Sequence, residues 1–257
     1  MTVPATVRAS AERLVVAATM GPTVHDVHAW RFKVVAGLIE LHADPERFRP
    51  LHDPAGRGLH LASGAALVNL RLTAAQLGHE AVVRLLPDPG RPALLATVRL
   101  AGRHRVTREE RLLCAATLRP SPTAPPESGV RPLMHVINEL REAARLEGAA
   151  LHPLPPGRDG SAQRVVLTTA GDTRAAWLRA GQALQRVLLS GTARSVAASF
   201  SFEAADVPGV CDVTTPGEVP QALLELVQDV PARSRRRLFE PPVDRQHEGE
   251  GHWQRVR

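Results

Sequence analysis

The stretch Gly21-Pro-Thr-Val-His-Asp-Val-His-Ala-Trp-Arg-Phe32 joins a predicted helix to a predicted strand and is the most informative segment of the chain. Apolar spacing predicts a helix over residues 11–20, which ends at Pro22 because proline has no backbone N–H with which to continue it. Beyond the polar loop, the short apolar runs 32–35 and 38–41 flank an Ala-Gly turn. This pattern predicts a β-hairpin.

A long helix is predicted next in the chain. Apolar residues recur at helical spacing over residues 58–77, and Gly78 is placed to end the helix in a left-handed conformation. Residues 81–86 and 94–100 flank a Pro-Asp-Pro-Gly turn and predict a second hairpin. The first half therefore alternates helices with antiparallel hairpins.

The second half is predicted to repeat this order. Thr107 and Glu110 have the spacing of a capping box, so a short helix is predicted to begin there. Proline and serine are concentrated in residues 120–132, the predicted linker. After the linker come a helix over residues 133–146 and two strands over residues 150–154 and 164–169. A long helix capped by Asp172 or Thr173 is predicted to end near residue 193, and a strand over residues 196–202 follows it.

A weak internal repeat supports two halves of similar design. The segment Gly64-Ala-Ala-Leu-Val-Asn-Leu-Arg-Leu72 and the segment Gly181-Gln-Ala-Leu-Gln-Arg-Val-Leu-Leu189 share a glycine, an alanine and two leucines. Each segment lies in the long predicted helix of its half, and the two glycines are 117 positions apart. Generic alanine and leucine composition could also produce this match.

The basic charge of the chain does not by itself predict a nucleic-acid partner. The 257 residues carry a formal net charge of +6, nearly all from arginine because Lys33 is the only lysine. Five phenylalanines, three tryptophans and no tyrosine leave few side chains on which bases could stack. The dense run Arg233-Ser-Arg-Arg-Arg237 is either a solvated surface or a phosphate clamp.

Several features predict a cytoplasmic protein. No stretch approaches the roughly 20 apolar residues that span a bilayer, and residues 1–10 lack the basic start and apolar block of a signal peptide. Cys114 and Cys211 lie far apart and form no Cys-x-x-Cys pair. Each is predicted to be a small buried hydrophobe rather than a disulfide partner or a metal ligand.

Familiar catalytic motifs are absent from the sequence. It has no phosphate-binding Gly-x-x-x-x-Gly-Lys loop, no Gly-x-Gly-x-x-Gly, no His-Glu-x-x-His and no Gly-x-Ser-x-Gly. The spacing of His25 and His28 could place two imidazoles near one metal ion, but no third ligand is recognisable. Ordinary loop or buried histidines remain the alternative, and no metal site is predicted.

The stretch 21–32 resembles the flavin-binding loop of the nitroreductase superfamily, in particular its Acg-type branch, where the loop reads approximately Pro-Ser-x-His-Asn-x-Gln-Pro-Trp-Arg-Phe. Other segments similar to that branch extend the resemblance over most of residues 7–200. They are Leu41-His-Ala-Asp44, Asp53-Pro-Ala-Gly-Arg57, residues 64–71, Leu77-Gly-His-Glu80, residues 84–89, residues 168–173 and residues 177–186. By their order and spacing the chain is identified as a member of that family.

The resemblance implies an α+β fold, with antiparallel sheet around long central helices and two similar halves fused in one chain. It implies flavin mononucleotide (FMN) at the junction, and electron transfer from NAD(P)H through the flavin to a nitroaromatic or quinone acceptor. A fused chain could form the site as a monomer mimicking a dimer, and a homodimer is the other possibility. No nucleic acid or membrane partner is expected.

The resemblance also implies which residues would hold the flavin. The loop of the first half, arginines for the phosphate and a backbone stretch beside the ring make up this set. The predicted residues are Thr23, His25, Asp26, His28, Arg119, Val196, Ala197, Ala198, Arg236 and Arg237. No catalytic side chain is assigned, since the cofactor carries the chemistry.

The chain departs from the family in three places. Asp26, His28 and Ala29 stand where the family has asparagine, glutamine and proline, and a carboxylate would repel an anionic reduced flavin. An arginine-rich stretch of the family is replaced by residues 118–126, where only Arg119 remains and the prolines donate no backbone hydrogen bonds. Residues 155–162 replace a long insertion thought to cover the flavin.

Two functions follow as alternatives. The chain is a flavin-dependent oxidoreductase with an open site, or it is a degenerate, non-catalytic relative that binds flavin weakly or not at all and acts as a ligand-binding or interaction protein. The predicted divisions are a first half, a proline-rich linker, a second half and a mobile tail, over residues 1–118, 119–132, 133–244 and 245–257.

Overall fold

The computed structural model describes residues 13–19, 29–35, 38–44, 46–47, 53–119, 129–155, 160, 162–204 and 207–228. The predicted tail and most of the predicted linker lie outside these ranges. So do the loop residues 20–28.

The described residues of the first half form three helices and four strands. Helix α1 is described over residues 13–18, and Thr107 caps α3 through a complete capping box with Glu110. The other bounds are β1 Trp30–Val35, β2 Leu38–Ala43, α2 Arg57–Gln76, β3 His79–Leu85, β4 Leu94–Arg103 and α3 Arg108–Thr117.

The second half has the same succession of a helix, two strands, a long helix and two strands. Thr173 caps α5, since its side chain accepts a hydrogen bond from the Ala176 N–H. The bounds are α4 Met134–Leu146, β5 Ala150–Pro153, β6 Gln163–Ala170, α5 Arg174–Ala193, β7 Val196–Ser201, α6 Val210–Val213 and β8 Glu218–Gln228.

The two halves form two antiparallel sheets of the same topology. The strand order is β1-β2-β4-β3 in the first sheet and β5-β6-β8-β7 in the second. Each second strand has a register shift against the central partner, between Leu41 and His42 in one sheet and between Leu167 and Thr168 in the other. The predicted α+β fold with two similar halves is therefore confirmed.

Helices α2 and α5 cross at the centre of the molecule, where Gly64 and Gly181 meet. A Cβ atom on Gly64 would overlap the carbonyl oxygen of Leu178, and one on Gly181 would overlap that of Leu61. Only glycine permits so close an approach of two helix backbones. The internal repeat therefore marks the contact between the halves.

Each long helix also contributes a leucine to the core of the other half. Leu61 of α2 packs in the core that contains Ile137, Leu140 and Leu167 of the second half. Leu178 of α5, 117 positions later, packs in the core of the first half. The reciprocal exchange makes the two halves one cooperative unit rather than two separable domains.

The sequence predictions for helices and hairpins agree with these bounds to within a few residues. Strand β8 was not predicted, although it is the inner strand that pairs with both β6 and β7. The prediction that both cysteines are buried was wrong for Cys211, which is exposed, while Cys114 is half-buried. In the part of the chain that the structure describes, no helix is long and apolar enough to cross a membrane.

Candidate functional site

The predicted ring-contact residues lie on β7, the edge strand of the second sheet. β7 pairs with β8 along one side, with Val196 opposite Gln228 and Ala198 opposite Leu226. Within the described ranges, no strand pairs with the other side of β7. Backbone groups on that outer side are therefore available to a ligand.

The backbone hydrogen bonds of Gln228 show which backbone groups of β7 point away from β8. Its N–H donates to the Val130 carbonyl at 2.8 Å, and its own carbonyl accepts from the Val130 N–H at 3.1 Å. The backbone N–H and carbonyl groups of successive residues point to alternate sides of an antiparallel strand. The backbone groups of Val227 therefore point towards β7, where they meet those of Ala197. The N–H and the carbonyl of Ala198 consequently point to the outer side.

Arg119 lies close to the start of β7. Its guanidinium donates to the carbonyl of Thr192, in the last turn of α5, at 3.4 Å. Ser195 then turns the chain with a φ of 58°. Gly191 packs so tightly that a Cβ there would lie 3.3 Å from the Val196 oxygen. The structure thus brings Arg119 and Val196, two predicted site residues, to one end of the second sheet.

A half-buried apolar surface accompanies the outer edge of β7. Ala198, Phe200 and Phe202 alternate along the chain and, with Leu188 of α5, pack on the core of the second half. The two phenylalanine rings are tilted against each other with centroids 5.5 Å apart. A planar ligand at this edge would meet both apolar surface and an outward backbone N–H.

The remaining predicted site residues lie outside the described residues. They are Thr23, His25, Asp26, His28, Arg236 and Arg237. The structure does anchor the two ends of the loop that contains the first four, because Ala18 of α1 and Trp30 of β1 are both buried. The Ala29 carbonyl also accepts a hydrogen bond from the Asp44 N–H at 2.9 Å.

Arg57 links Phe202, at the end of the apolar surface, to the first half by hydrogen bonds. At the start of α2, its guanidinium donates to the Phe202 carbonyl at 3.1 Å and to the Pro220 carbonyl at 3.3 Å. It also donates to the backbone and side-chain oxygens of Gln221, at 2.5 Å and 3.1 Å. Sequence reasoning missed this role. The signal was available, because Arg57 and Arg174 are 117 positions apart, like the two crossing glycines.

Arg174 makes the corresponding contact in the other direction. Its Nε donates to His60 Nε2 at 2.9 Å, while a second nitrogen donates to the Pro92 carbonyl at 2.5 Å. His60 in turn donates from Nδ1 to the Gly56 carbonyl at 2.5 Å. Burial lowers the pKa of His60, and the positive charge of Arg174 lowers it further. A neutral imidazole fixed in one tautomer therefore supports the interface of the two halves.

The described residues offer no metal centre. No group of three or more histidine, cysteine, aspartate or glutamate side chains in the described part of the chain could hold an ion. His42 donates instead to Glu40 at 2.9 Å, and His152 lies 3.0 Å from Glu218. Burial raises the pKa of the Cys114 thiol, which makes that cysteine a poor nucleophile.

Comparison with known proteins agrees with this architecture. A Mycobacterium tuberculosis protein named "Putative NAD(P)H nitroreductase Rv3131" is 36% identical over 81 residues, which are 32% of this chain and 24% of that protein. The M. tuberculosis protein named "Putative NAD(P)H nitroreductase acg" is 31% identical over 101 residues, 39% of this chain and 30% of the relative. The matches thus span about a quarter to a third of the length of these relatives. No family model matches the chain.

A solved structure shows the same fold. The crystal structure titled as that of "a putative nitroreductase from anabaena variabilis" aligns with a TM-score of 0.55 at 11% identity, over 75% of this chain and 69% of that one. The chain therefore has a nitroreductase-like α+β fold. Part of its sequence is similar to proteins named putative NAD(P)H nitroreductases, among them acg.

Proposed function

We propose that the chain is an FMN-binding oxidoreductase that uses NAD(P)H to reduce a nitroaromatic or quinone-type acceptor. The observation that carries this proposal is the outer edge of β7, where Ala198 presents an unpaired backbone N–H beside Phe200 and Phe202. A flavin ring is planar, apolar on its faces and rich in hydrogen-bond acceptors along its rim. The apolar surface of this edge suits the face of the ring, and the outward N–H suits its rim.

The residues present fit the cofactor in three respects. The Ala198 N–H would donate to the rim of the ring, and the half-buried surface of Phe200 would exclude water from one side. Arg119 is exposed at the same end of the sheet and would pair with the phosphate through its planar fork of donors. By the family resemblance, Thr23 and His25 would contact the flavin from the first half, and Arg236 would add a second cation. When bound, FMN would supply two-electron chemistry between NAD(P)H and the acceptor.

The first test is a visible absorption spectrum of the purified full chain, recorded before and after addition of FMN and desalting. Retained flavin with perturbed absorption bands, together with NAD(P)H oxidation that depends on an added quinone or nitroaromatic, is the expected result. Colourless protein that takes up no flavin would contradict the proposal and favour the non-catalytic alternative.

A proline substitution tests the outward N–H of Ala198 directly. Ala198→Pro removes that donor without removing a bond of the β7–β8 ladder, and proline is tolerated on an edge strand when its nitrogen faces away from the partner. We expect FMN affinity to fall about tenfold or more, since a buried hydrogen bond to a polar ring is lost. Flavin fluorescence quenching measures the change.

Ala81→Pro is the matched control. Ala81 occupies the equivalent position on β3, 117 residues earlier. The Leu86 N–H donates to the Leu95 carbonyl at 2.9 Å, so by alternation Ala81 also faces away from its partner strand. Equal loss of flavin affinity in both variants would mean that general destabilisation, not the Ala198 donor, causes the effect.

A further inference from the structure

The internal repeat of the chain relates a surface cavity to the candidate flavin site. A surface cavity of about 330 Å³ is lined on one wall by Ala81, Val83 and Leu85 of β3. These three residues lie 117 positions before Ala198, Phe200 and Phe202, the apolar surface beside β7. The cavity, here called the counterpart pocket, is therefore the second copy of the candidate flavin site.

The counterpart pocket has a different chemistry from its equivalent. Its remaining lining residues include Arg71, Arg179 and Gln182. The positions related to these by the repeat hold Leu188, Ala62 and Ala65. Three positions that are apolar at the candidate flavin site thus hold two guanidiniums and an amide at the counterpart pocket. The difference makes the counterpart pocket polar and positively charged rather than suited to a second flavin ring.

Gln182 is the clearest sign that the pocket binds a ligand. Gln182 is only 6% exposed, and it lines the cavity. Among the described residues it has no hydrogen-bond partner, whereas buried amides in folded proteins nearly always have one. The amide can therefore take its hydrogen bonds from a ligand or from water that enters the cavity.

The charges around the pocket set the charge of the ligand. Glu147 is only 5% exposed through its side chain and pairs with Arg71 at 2.7 Å and with Arg186 at 3.2 Å. Arg179 also lines the cavity and makes no ion pair with any described residue. Two arginines and one glutamate line the cavity, which leaves one net positive charge for a single anionic group.

We propose that the counterpart pocket binds a small organic monoanion, namely a carboxylate with an apolar body. The carboxylate would lie between the Arg179 guanidinium and the Gln182 amide, both of which are hydrogen-bond donors. The apolar body would pack on Ala81 and Val83. Glu147 would reject dianions, because a second negative charge would meet its carboxylate without a free cation to balance it.

The test is calorimetric titration of the full chain with benzoate at low salt, with benzamide as the neutral analogue of the same shape. Benzoate is expected to bind with 1:1 stoichiometry and benzamide at least tenfold more weakly. Arg179→Ala and Gln182→Leu should each weaken benzoate about tenfold or more, because each removes a donor to a charged group. Gln182→Leu nearly keeps the volume and breaks no hydrogen bond with a described residue, so this variant should fold.

Arg84→Ala is the matched control. Arg84 is exposed on the same strand, β3, and alternation puts its side chain on the face opposite Ala81 and Val83. The Arg84→Ala substitution removes the same charge as Arg179→Ala, but benzoate affinity should not change. Loss of affinity in all three variants alike would overturn the proposal, as would the absence of benzoate binding. Displacement of benzoate by FMN with unchanged affinity in Arg179→Ala would assign the carboxylate to the β7 edge and also overturn it.

Discussion

Gly64 and Gly181 lie against each other at the crossing of α2 and α5, and each faces a backbone carbonyl of the opposite helix. A Cβ on either glycine would overlap that carbonyl, which belongs to Leu178 for Gly64 and to Leu61 for Gly181. The same two leucines each pack in the core of the other half. The crossing therefore couples the two cores, and through them the edges of both sheets.

Gly64→Ala should strongly destabilise the protein. The added methyl group meets backbone rather than a flexible side chain, so relief requires the two helices to separate and both cores to loosen. We expect the free energy of unfolding to fall by about 3 kcal/mol or more, the upper end of overpacking effects. Urea unfolding followed by circular dichroism measures the change, and Gly181→Ala should behave in the same way.

Gly171→Ala is the control for this prediction. Gly171 has a φ of 76° and open space where a Cβ would lie. Its substitution meets only the left-handed backbone penalty, which costs about 1–2 kcal/mol. If Gly64→Ala proved no more destabilising than Gly171→Ala, the close approach of the helices would not be as the structure has it.

Arg57→Ala should destabilise the interface between the halves. The Arg57 guanidinium donates to the carbonyls of Phe202, Pro220 and Gln221 and to the Gln221 side chain, and the substitution removes all four hydrogen bonds. We expect a loss of about 3 kcal/mol, in the range for charged donors to buried groups. FMN affinity should fall too, because Phe202 follows directly on β7.

Arg47→Ala separates this effect from simple loss of charge. Arg47 lies on the surface with a side chain 62% exposed, and its contact with Asp44 is 3.7 Å long. Such exposed pairs contribute about 0–1 kcal/mol. A comparable loss of stability in both variants would show that net charge, not the Arg57 contacts, is responsible.

Much of the fold could be predicted from the sequence, because it rests on local signals. Hairpins follow from apolar runs around turns, α3 follows from the capping box, and Gly64 and Gly181 marked the two equivalent helices. Strand β8 was missed because Pro220 interrupts its apolar pattern; in the structure this proline sits at the register shift opposite Thr168. At an irregularity of this kind a missing N–H is tolerated inside a sheet.

The candidate site was less predictable because its geometry depends on distant residues. The outward direction of Ala198 follows from the pairing of Gln228 with Val130, which no local pattern indicates. The contacts of Arg57 with Gln221 join residues 164 positions apart. The family resemblance predicted ring contacts at residues 196–198 of β7, and this stays a prediction. The counterpart pocket joins residues of both halves, so no local pattern indicates it.

Stability at acid pH should depend on Glu40. The hydrogen bond from His42 lowers the pKa of the Glu40 carboxyl, with a further contribution from Arg91. A lowered pKa means that the ionised form is stabilised by folding, so this contribution is present at neutral pH and is lost as the pH falls below about 4.3, the ordinary value for glutamate. The stability gap between the wild type and Glu40→Gln should therefore narrow as the pH falls from 7 towards 3.

Thermal unfolding measured across that range checks the direction. Glu203 provides the control, because its side chain is exposed and makes no ion pair with any described residue. Glu203→Gln should leave the pH profile of the melting temperature unchanged. A constant gap between the wild type and Glu40→Gln at every pH would contradict the assignment of acid sensitivity to the Glu40 carboxylate.

The capping box of α3 allows a prediction with opposite signs at the two ends of one helix. At the start, Thr107 Oγ1 accepts from the Glu110 N–H at 3.1 Å, and Glu110 Oε2 accepts from the Thr107 N–H at 2.7 Å. Thr107→Ala removes the first bond and loosens the second, at a cost of about 1 kcal/mol.

At the other end of α3, the Thr117 hydroxyl only donates back to the Cys114 carbonyl at 2.7 Å. Thr117→Ala makes the same chemical change where alanine is the better helix former, so stability should be unchanged or slightly higher. Equal destabilisation by both substitutions in urea unfolding would mean that α3 is held by its packing against α2 and α5 rather than by its cap.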